Sequence, residues 1–457
     1  VEYGLTPFKT PKQNVTDYVA TDEYGKPLPP DANGNYIVDR SNIIRRKQMD
    51  NHFGGAIVNV SYTGRKLNAV AGVAGNRYMG EHFGPVIWVK DYVGQLSPDH
   101  EYYRNESDKQ DYNAFIRGSF EAFRGFSIYA DLQCRYIAHK INGINDKYDW
   151  REDVNAMQTL DVDKKYLFFN PKAGIFYSIN DAHSVYASFA AAHKEPTRNN
   201  FTDARNDVKT VPEQLFDYEL GYTFRGKTLS AGVNLYYMDY YNQLVLTGQT
   251  NEIGEPMSAN VYRSYRAGVE LTAGVRITDW LRWDVNATFS RNIIKNFNEF
   301  IDVCNEDWVP MYQERLALGD TPIAYSPSII AGSLISVRFG GFGASLQSQY
   351  VSSQYVTNSK QDGVWNDSTN EWDLEPLKLD AYFVNNLRLD YDFNLKRLKK
   401  LNIGVVVNNI FNVEYCSNGW GYSALLPNAS GGSERANKMG FYPQAKANVM
   451  ANVTVRF

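Results

Sequence analysis

The stretch GFYPQAKANVMANVTVRF, Gly440 to Phe457, closes the chain, and from Pro443 onward every second residue is apolar: Pro443, Ala445, Ala447, Val449, Ala451, Val453, Val455 and Phe457. Gln444, Lys446, Asn448, Met450, Asn452, Thr454 and Arg456 lie between them. A period of two belongs to an extended strand whose two faces meet different surroundings. A half-buried strand of a soluble sheet usually runs about five or six residues, whereas this alternation continues without a break. Small Ala and Val on the apolar face suit lipid on one side and water or polar filling on the other. A long edge strand of a soluble sandwich would show the same local pattern, so the rest of the chain must decide.

The pattern recurs. LKLDAYFVNNLRLDYDF places Leu377, Leu379, Ala381, Phe383, Leu387, Leu389, Tyr391 and Phe393 opposite Lys378, Asp380, Asn386, Arg388, Asp390 and Asp392. TLSAGVNLYYMDYYNQ and LRWDVNATFSRN alternate in the same way. Fifteen such segments start near residues 52, 66, 109, 125, 165, 182, 213, 227, 261, 279, 323, 341, 377, 400 and 440. Their connections alternate in length. Short ones hold turn residues at Gly64-Arg65, Arg124-Gly125, Asn180-Asp181, Arg225-Gly226-Lys227, Thr278-Asp279, Gly340-Gly341 and Asn394 to Lys399. Long polar ones are expected at 85–108, 141–164, 194–212, 244–260, 293–321, 355–376 and 413–439. Seven short turns interleaved with seven long loops predict an all-β fold, a transmembrane antiparallel β-barrel with its turns on the periplasmic side. Closure would also remove the exposed edges of so many long strands. On this reading residues 52–457 are barrel strands and long outer loops. Residues 1–51 are an extracellular segment with a hairpin turn at Asn33-Gly34. Fifteen strands is an odd count, so the chain reads either as the last part of a larger barrel or as one with a strand hidden in 1–51.

Composition narrows the function classes. The 457 residues net a charge of −4, with no basic footprint for nucleic acid. Mean hydropathy is −0.45, and no apolar run approaches the length of a membrane helix; barrel strands escape that test because only alternate residues are apolar. Aromatics make up 14% of residues, 33 of them Tyr, as interface girdles would require, although a carbohydrate- or protein-binding surface would also be aromatic-rich. Cys134, Cys304 and Cys416 have no metal spacing and read as unpaired thiols, with a Cys304–Cys416 disulfide as the alternative. Asp31, Asn33 and Asn35 lack the downstream Glu of a calcium loop, and Asp146, Asp149, Asp153, Asp161 and Asp163 read as a solvated acidic loop. No metal, cofactor or catalytic set is expected. His52, His82, His100, His139, His183 and His193 form no HExxH, and His183 beside Asp181 and Ser184 is turn chemistry rather than a triad.

Three stretches resemble the TonB-dependent outer-membrane receptors, in their Bacteroidetes form. They are NNIFNVEY (Asn408 to Tyr415), SFAAAHKEPTRNNFTDA followed by PEQLFDYELGYTF, and YYMDYYNQLVLTG. The resemblance covers most of residues 40–457 and implies the C-terminal portion of a 22-stranded barrel. The N-terminal plug and first strands would be missing from it. It further implies energised uptake of a bulky scarce nutrient across the outer membrane of a Gram-negative bacterium. A ferric siderophore or similar iron complex comes first; cobalamin, haem and oligosaccharide are alternatives, and a passive porin is a different class of answer. Implied partners are the TonB energy-transducing complex acting on the plug, the barrel-assembly machinery reading Phe457 as an insertion signal, a surface lipoprotein cap and a small-molecule ligand. The haem receptors of the family carry a "F-R-A-P" motif beside their His, where this chain has AHKEPTR around His193. Glu195, Arg198, Glu213 and Glu219 read as inward or rim charges that pair structurally. Candidate ligand residues are His193 and Arg198 together with the loop aromatics Trp88, Tyr92, Tyr102, Tyr103, Trp308, Tyr312, Trp365, Trp372, Trp420 and Tyr422. Aromatic faces bury a bulky ligand at low entropic cost, and nearby cations hold an anionic chelate. The same aromatics would equally serve as girdle or loop packing.

Overall fold

The computed structural model describes residues 2–7, 29, 43–89, 100–149, 156–202, 210–250, 256–306, 308, 310–395, 400–428 and 430–456. Nearly all of it is strand. β1 (Glu2–Pro7) pairs antiparallel with the start of β2 (Ile43–Thr63). There follow β3 (Leu67–Val89), β4 (His100–Phe123), β5 (Phe126–Asp149), β6 (Ala156–Ser178) and β7 (His183–Lys194). A short helix α1 (Arg198–Thr202) leads to β8 (Glu213–Arg225), β9 (Leu229–Thr250), β10 (Pro256–Arg276) and β11 (Leu281–Cys304). Next come β12 (Pro310–Pro322), β13 (Ile329–Phe339), β14 (Phe342–Val351) and four short pieces, β15 (Gln354–Tyr355), β16 (Val364–Asn366), β17 (Glu371–Leu374) and β18 (Lys378–Leu379). β19 (Tyr382–Phe393), β20 (Lys400–Asn408), β21 (Cys416–Pro427), β22 (Ser433–Pro443) and β23 (Asn448–Arg456) complete the order. Among the described residues nineteen strands belong to one sheet; β15 with β18 and β16 with β17 form two small ones. Two compact units are distinguished: residues 1–60, 71–115 and 133–168, and residues 61–70, 116–132 and 169–457.

In the second unit the register explains the alternation. Val269 lies opposite Leu235 on β9 and Phe289 on β11, and Leu271 lies opposite Val233 and Ala287. The same apolar face continues through Leu220 on β8, Ile335 on β13, Leu346 on β14, Leu387 on β19, Val407 on β20 and Val449 on β23. On the opposite face Gly221, Asn234, Glu270 and Thr288 are successive partners. Asn234 Nδ2 donates to Glu270 Oε2 (3.2 Å), and Tyr186 Oη donates to Asn234 Oδ1 (2.9 Å). Tyr186 lies flat over its cross-strand partner Gly221, where a Cβ would come within 2.0 Å of the ring. An aromatic covering a glycine in this way restores the packing that the missing side chain gives up.

All fifteen expected segments are strands, β2 to β11, β13, β14, β19, β20 and β23, and six of the short turns fall where they are expected; most of the seventh, 396–399, lies outside the described residues. Gly226 N donates to Leu229 O (2.8 Å) and Ile277 N to Leu281 O (2.9 Å). Asn180 Oδ1 accepts from Ala182 N and His183 N, an Asx turn of the kind its residue type favours. Gly125 stands at φ +80°, and a Cβ there would meet Ser178 O at 2.7 Å. Glycine satisfies both constraints at once.

The opposite ends differ from expectation. β3, β4, β5, β6 and β11 are 23 or 24 residues long, where a membrane crossing takes about 9–11. They run on as paired hairpins into the stretches 85–108, 141–164 and 293–321 read as loops. β2 likewise starts at Ile43 rather than near 52. The closing strand is shorter than its alternation: β22 ends at Pro443, Gln444 N donates to Tyr415 O (3.0 Å), and β23 starts only at Asn448. β19 starts at Tyr382, and Leu377 and Leu379, read as its first apolar residues, are instead 0% and 1% exposed in a separate core. β13 begins at Ile329, with Ile323 packed against Val245, Val261 and Ile294. The Asn33-Gly34 turn and the candidate calcium residues Asp31, Asn33 and Asn35 lie outside the described residues, as does Phe457.

Candidate functional site

The far ends of the second unit's strands, opposite the short turns, bring dispersed side chains together. Toward its turn β11 is flanked by β10 and β13. Pairing with β10 stops at Ile294, and beyond it β12 takes the β13 edge. Asp302 and Val303 then pair in parallel with Ala424 and Leu425 of β21. The β21–β22 hairpin arises between β20 and β23, so it reaches back to β11 as a strap.

NNIFNVEY is the device that sends the chain out. Asn409 and Asn412 hold φ of 51° and 54°, a left-handed conformation that Asn tolerates better than most residues. Asn409 Oδ1 accepts from Val413 N (2.9 Å) and its Nδ2 donates to Val413 O (2.8 Å). Asn412 Oδ1 accepts from Ala447 N (3.0 Å), tying departure to return. Under the strap, Val356, Leu377 and Leu379 form a buried core with Tyr325, Cys416 and Met439 against it. Tyr325 Oη donates to Gly419 O (2.8 Å), and burial pushes its phenol up to about 12.

Where strap meets β11, Tyr422 Oη donates to Asp302 Oδ2 (2.9 Å) and Gln313 Nε2 to Asp302 Oδ1 (2.5 Å). Burial, and then the bond to Asp302, raises the Tyr422 phenol well above its ordinary value, so it stays a neutral donor. Arg435 Nη1 and Nη2 donate to the two oxygens of Glu299 (3.1 and 2.5 Å), with both side chains mostly buried. Trp308, at φ +64°, lies 6.2 Å from the Tyr422 ring, and Lys438 Nζ stands 3.6 Å over the Trp308 ring centroid. A bulky residue held in the left-handed region marks strain that the surroundings must enforce. The arrangement offers an aromatic face, an exposed ammonium and fixed hydrogen-bonding groups.

The other sequence candidates are distributed. Tyr312, on β12, is 64% exposed, and Trp420, on β21, packs over Gly440. Trp365 and Trp372 pair across the β16–β17 hairpin. His193 lies at the end of β7 with Nδ1 2.9 Å from Asn170 Oδ1, which also accepts from His193 N. Arg198 opens α1, just after Thr197, whose N and Oγ1 both donate to Asn200 Oδ1. Glu195 is buried, Glu213 Oε2 accepts from the backbone Leu244 N (2.8 Å), and Glu219 accepts from Tyr186 Oη (3.4 Å). In the first unit Trp88 is exposed at the end of β3, and Tyr102 stands edge-on to the buried Tyr103 (4.9 Å). There Arg104 bonds Glu101, whose carboxyl it holds below the usual range, and also Glu81. Tyr92 lies outside the described residues. Cys134, Cys304 and Cys416 are free thiols, so the alternative disulfide does not form. Lys140 pairs with Asp163 (3.3 Å) and Lys47 with Asp146, and no group of His, Cys, Asp and Glu among the described residues could hold a metal. His183 Nδ1 lies 2.6 Å from Tyr222 Oη at the short-turn end. Sequence reading missed Asp302, Gln313, Glu299, Arg435 and Lys438. Gln313 carries no signal; that of the other four is that charges crowd both segments, NEFIDVCNEDW and SERANKM, which lie more than a hundred residues apart.

The sequence matches the family described as TonB dependent receptor-like, beta-barrel, over residues 9–410. No curated protein matches. Among solved structures, the copper transporter OprC superposes with a TM-score of 0.63 at 16% identity, covering 91% of this chain and 58% of that one. The siderophore receptor PiuA from Acinetobacter baumannii gives 0.58 at 12%, covering 91% and 57%. The ferric yersiniabactin uptake receptor FyuA from Yersinia pestis gives 0.56 at 16%, covering 91% and 57%. The chain therefore spans less than three-fifths of each of these structures, and the likeness at these identities is one of fold.

Proposed function

The chain belongs to the TonB-dependent receptor β-barrel family, whose members are outer-membrane β-barrels, and from that premise we propose that it serves energised uptake of a bulky, scarce nutrient. A ferric siderophore or similar iron complex is the first choice. The observation that carries this reading is the far-end cluster of Trp308, Tyr422 and the exposed Lys438 ammonium. An aromatic face with an adjacent cation suits a large anionic chelate. Energy comes from the TonB complex acting through a plug, and insertion depends on the barrel-assembly machinery reading the chain's last residues, Phe457 included. A capping lipoprotein is a further partner in this reading. Haem is placed lower because the residues around His193 read AHKEPTR where the haem receptors of the family carry F-R-A-P.

The test is uptake of radioactive iron, supplied as a ferric catecholate, by cells producing the full-length protein. Uptake should collapse with a protonophore. Replacing Trp308 and Lys438 by Ala together should weaken binding of that complex about tenfold, as loss of an aromatic contact and of a cation facing the anionic chelate predicts. Uptake that survives the protonophore would assign a passive pore instead.

A further inference from the structure

The connection between β14 and β19 carries a hairpin whose surface chemistry the uptake reading does not use. β16 and β17 pair Val364 with Leu374, Trp365 with Trp372 and Asn366 with Glu371. The tip is rigid by construction: Asn366 Oδ1 accepts from Ser368 N (2.9 Å), Asn370 N donates to Asn366 O (2.9 Å), and Asn370 takes φ +57°. Trp365 and Trp372 meet edge to face, ring centroids 5.1 Å apart at 75°. They are nevertheless 44% and 45% exposed, and Val364 beside them is 52% exposed. Edge-to-face packing accounts for one edge of the pair and leaves broad indole area in water.

Charge identifies what would cover it. Residues 361–376 hold Asp362, Asp367, Glu371, Asp373 and Glu375 and no Lys, Arg or His, while the whole chain nets only −4. Asp362 is used locally, accepting from Tyr355 Oη (2.6 Å) and facing Lys378 (3.7 Å). Asp373 accepts only from the neutral Asn366 amide (3.1 and 3.2 Å). Asp367, Glu371 and Glu375 pair with no cation among the described residues. Apart from the Asn366–Asp373 bonds across the hairpin, carboxylates gathered around a Trp pair repel one another. They complement a partner that brings positive charge to the ring faces, where cation–π attraction and steering act together.

We propose that the β16–β17 hairpin is a docking surface for a basic polypeptide segment, with lysine or arginine side chains laid on Trp365 and Trp372 and countered by Asp367, Glu371 and Asp373. The test titrates the full-length protein in detergent with a synthetic peptide of alternating Gly and Arg, followed calorimetrically. Two double variants are compared with the parent: Trp365→Phe with Trp372→Phe, which keeps an aromatic pair in the hairpin, and Asp367→Asn with Glu371→Gln, which leaves the Trp pair alone. Each should weaken binding at least about fivefold, and added salt should weaken the parent further. Peptide affinity within about twofold of the parent in either variant overturns the proposal. So does saturable binding of a neutral glucan oligosaccharide that the charge-neutral variant leaves unchanged, which would make the hairpin a sugar platform.

Discussion

The two ends of the same strands are built by different means. At the short-turn end, neighbouring strands are joined by a few residues whose backbone bonds and turn formers close each hairpin locally. At the far end, strands outrun the membrane thickness, and segments from three connections fold together over a core of their own. A local device fails one hairpin at a time, whereas a shared core fails as a block. The far end is therefore where one substitution can act on many segments.

The largest effect should come from Leu377→Ala. Removing a fully buried Leu from a small core costs about 2–5 kcal/mol. Hydrogen exchange should rise across residues 352–381 and 416–443 while β8 to β11 stay protected; equal loss in those strands would mean that the two ends are not separable. Next is the wall itself. Leu235→Arg, on the apolar face some six residues from the turn, should destabilise by about 2–4 kcal/mol in bilayers, read as a lower urea midpoint of refolding into vesicles. The polar-face neighbour Asn234→Arg should cost clearly less, and equal costs would overturn the assignment of faces. The smallest effect is one of pH. Tyr325 ionises near 12 in the folded state against about 10 in an unfolded chain. Because the folded value is raised, its contribution is complete below pH ~10 and is lost as pH rises through ~12. Ultraviolet titration of Tyr325→Phe against the parent should show one late-ionising phenol missing, and the variant should lose less stability across that interval.

The same contrast explains what could be read from the sequence. Period-two patterning and turn residues are local signals, so the fifteen strands and the short turns were legible from Gly340, Asn180 and their like. The far extensions of β4, β5 and β11 were not, because the period of two breaks down there: polar residues enter both faces and apolar ones such as Phe300 and Ile301 fall side by side, which looks like loop. Leu377 and Leu379 misled because alternation marks a strand wherever it falls, and their burial depends on Tyr325 and Met439 from distant connections. In the candidate site, Trp308 and Tyr422 stood out as loop aromatics. Asp302 and Lys438 carry no local signal, since what defines them is a partner across the strap.

The parallel pairing of β21 with β11 also orders assembly in time. Asp302 and Tyr422 are 120 residues apart, Glu299 and Arg435 136. Separation alone is a mild obstacle, because loop-closure entropy grows only with the logarithm of length. Geometry is the stricter requirement: the far edge of β11 is a fixed target only after β11, β13, β14, β19 and β20 stand side by side. Folding of the second unit is therefore expected to end on its strap, a contact there that needs several hairpins already in place.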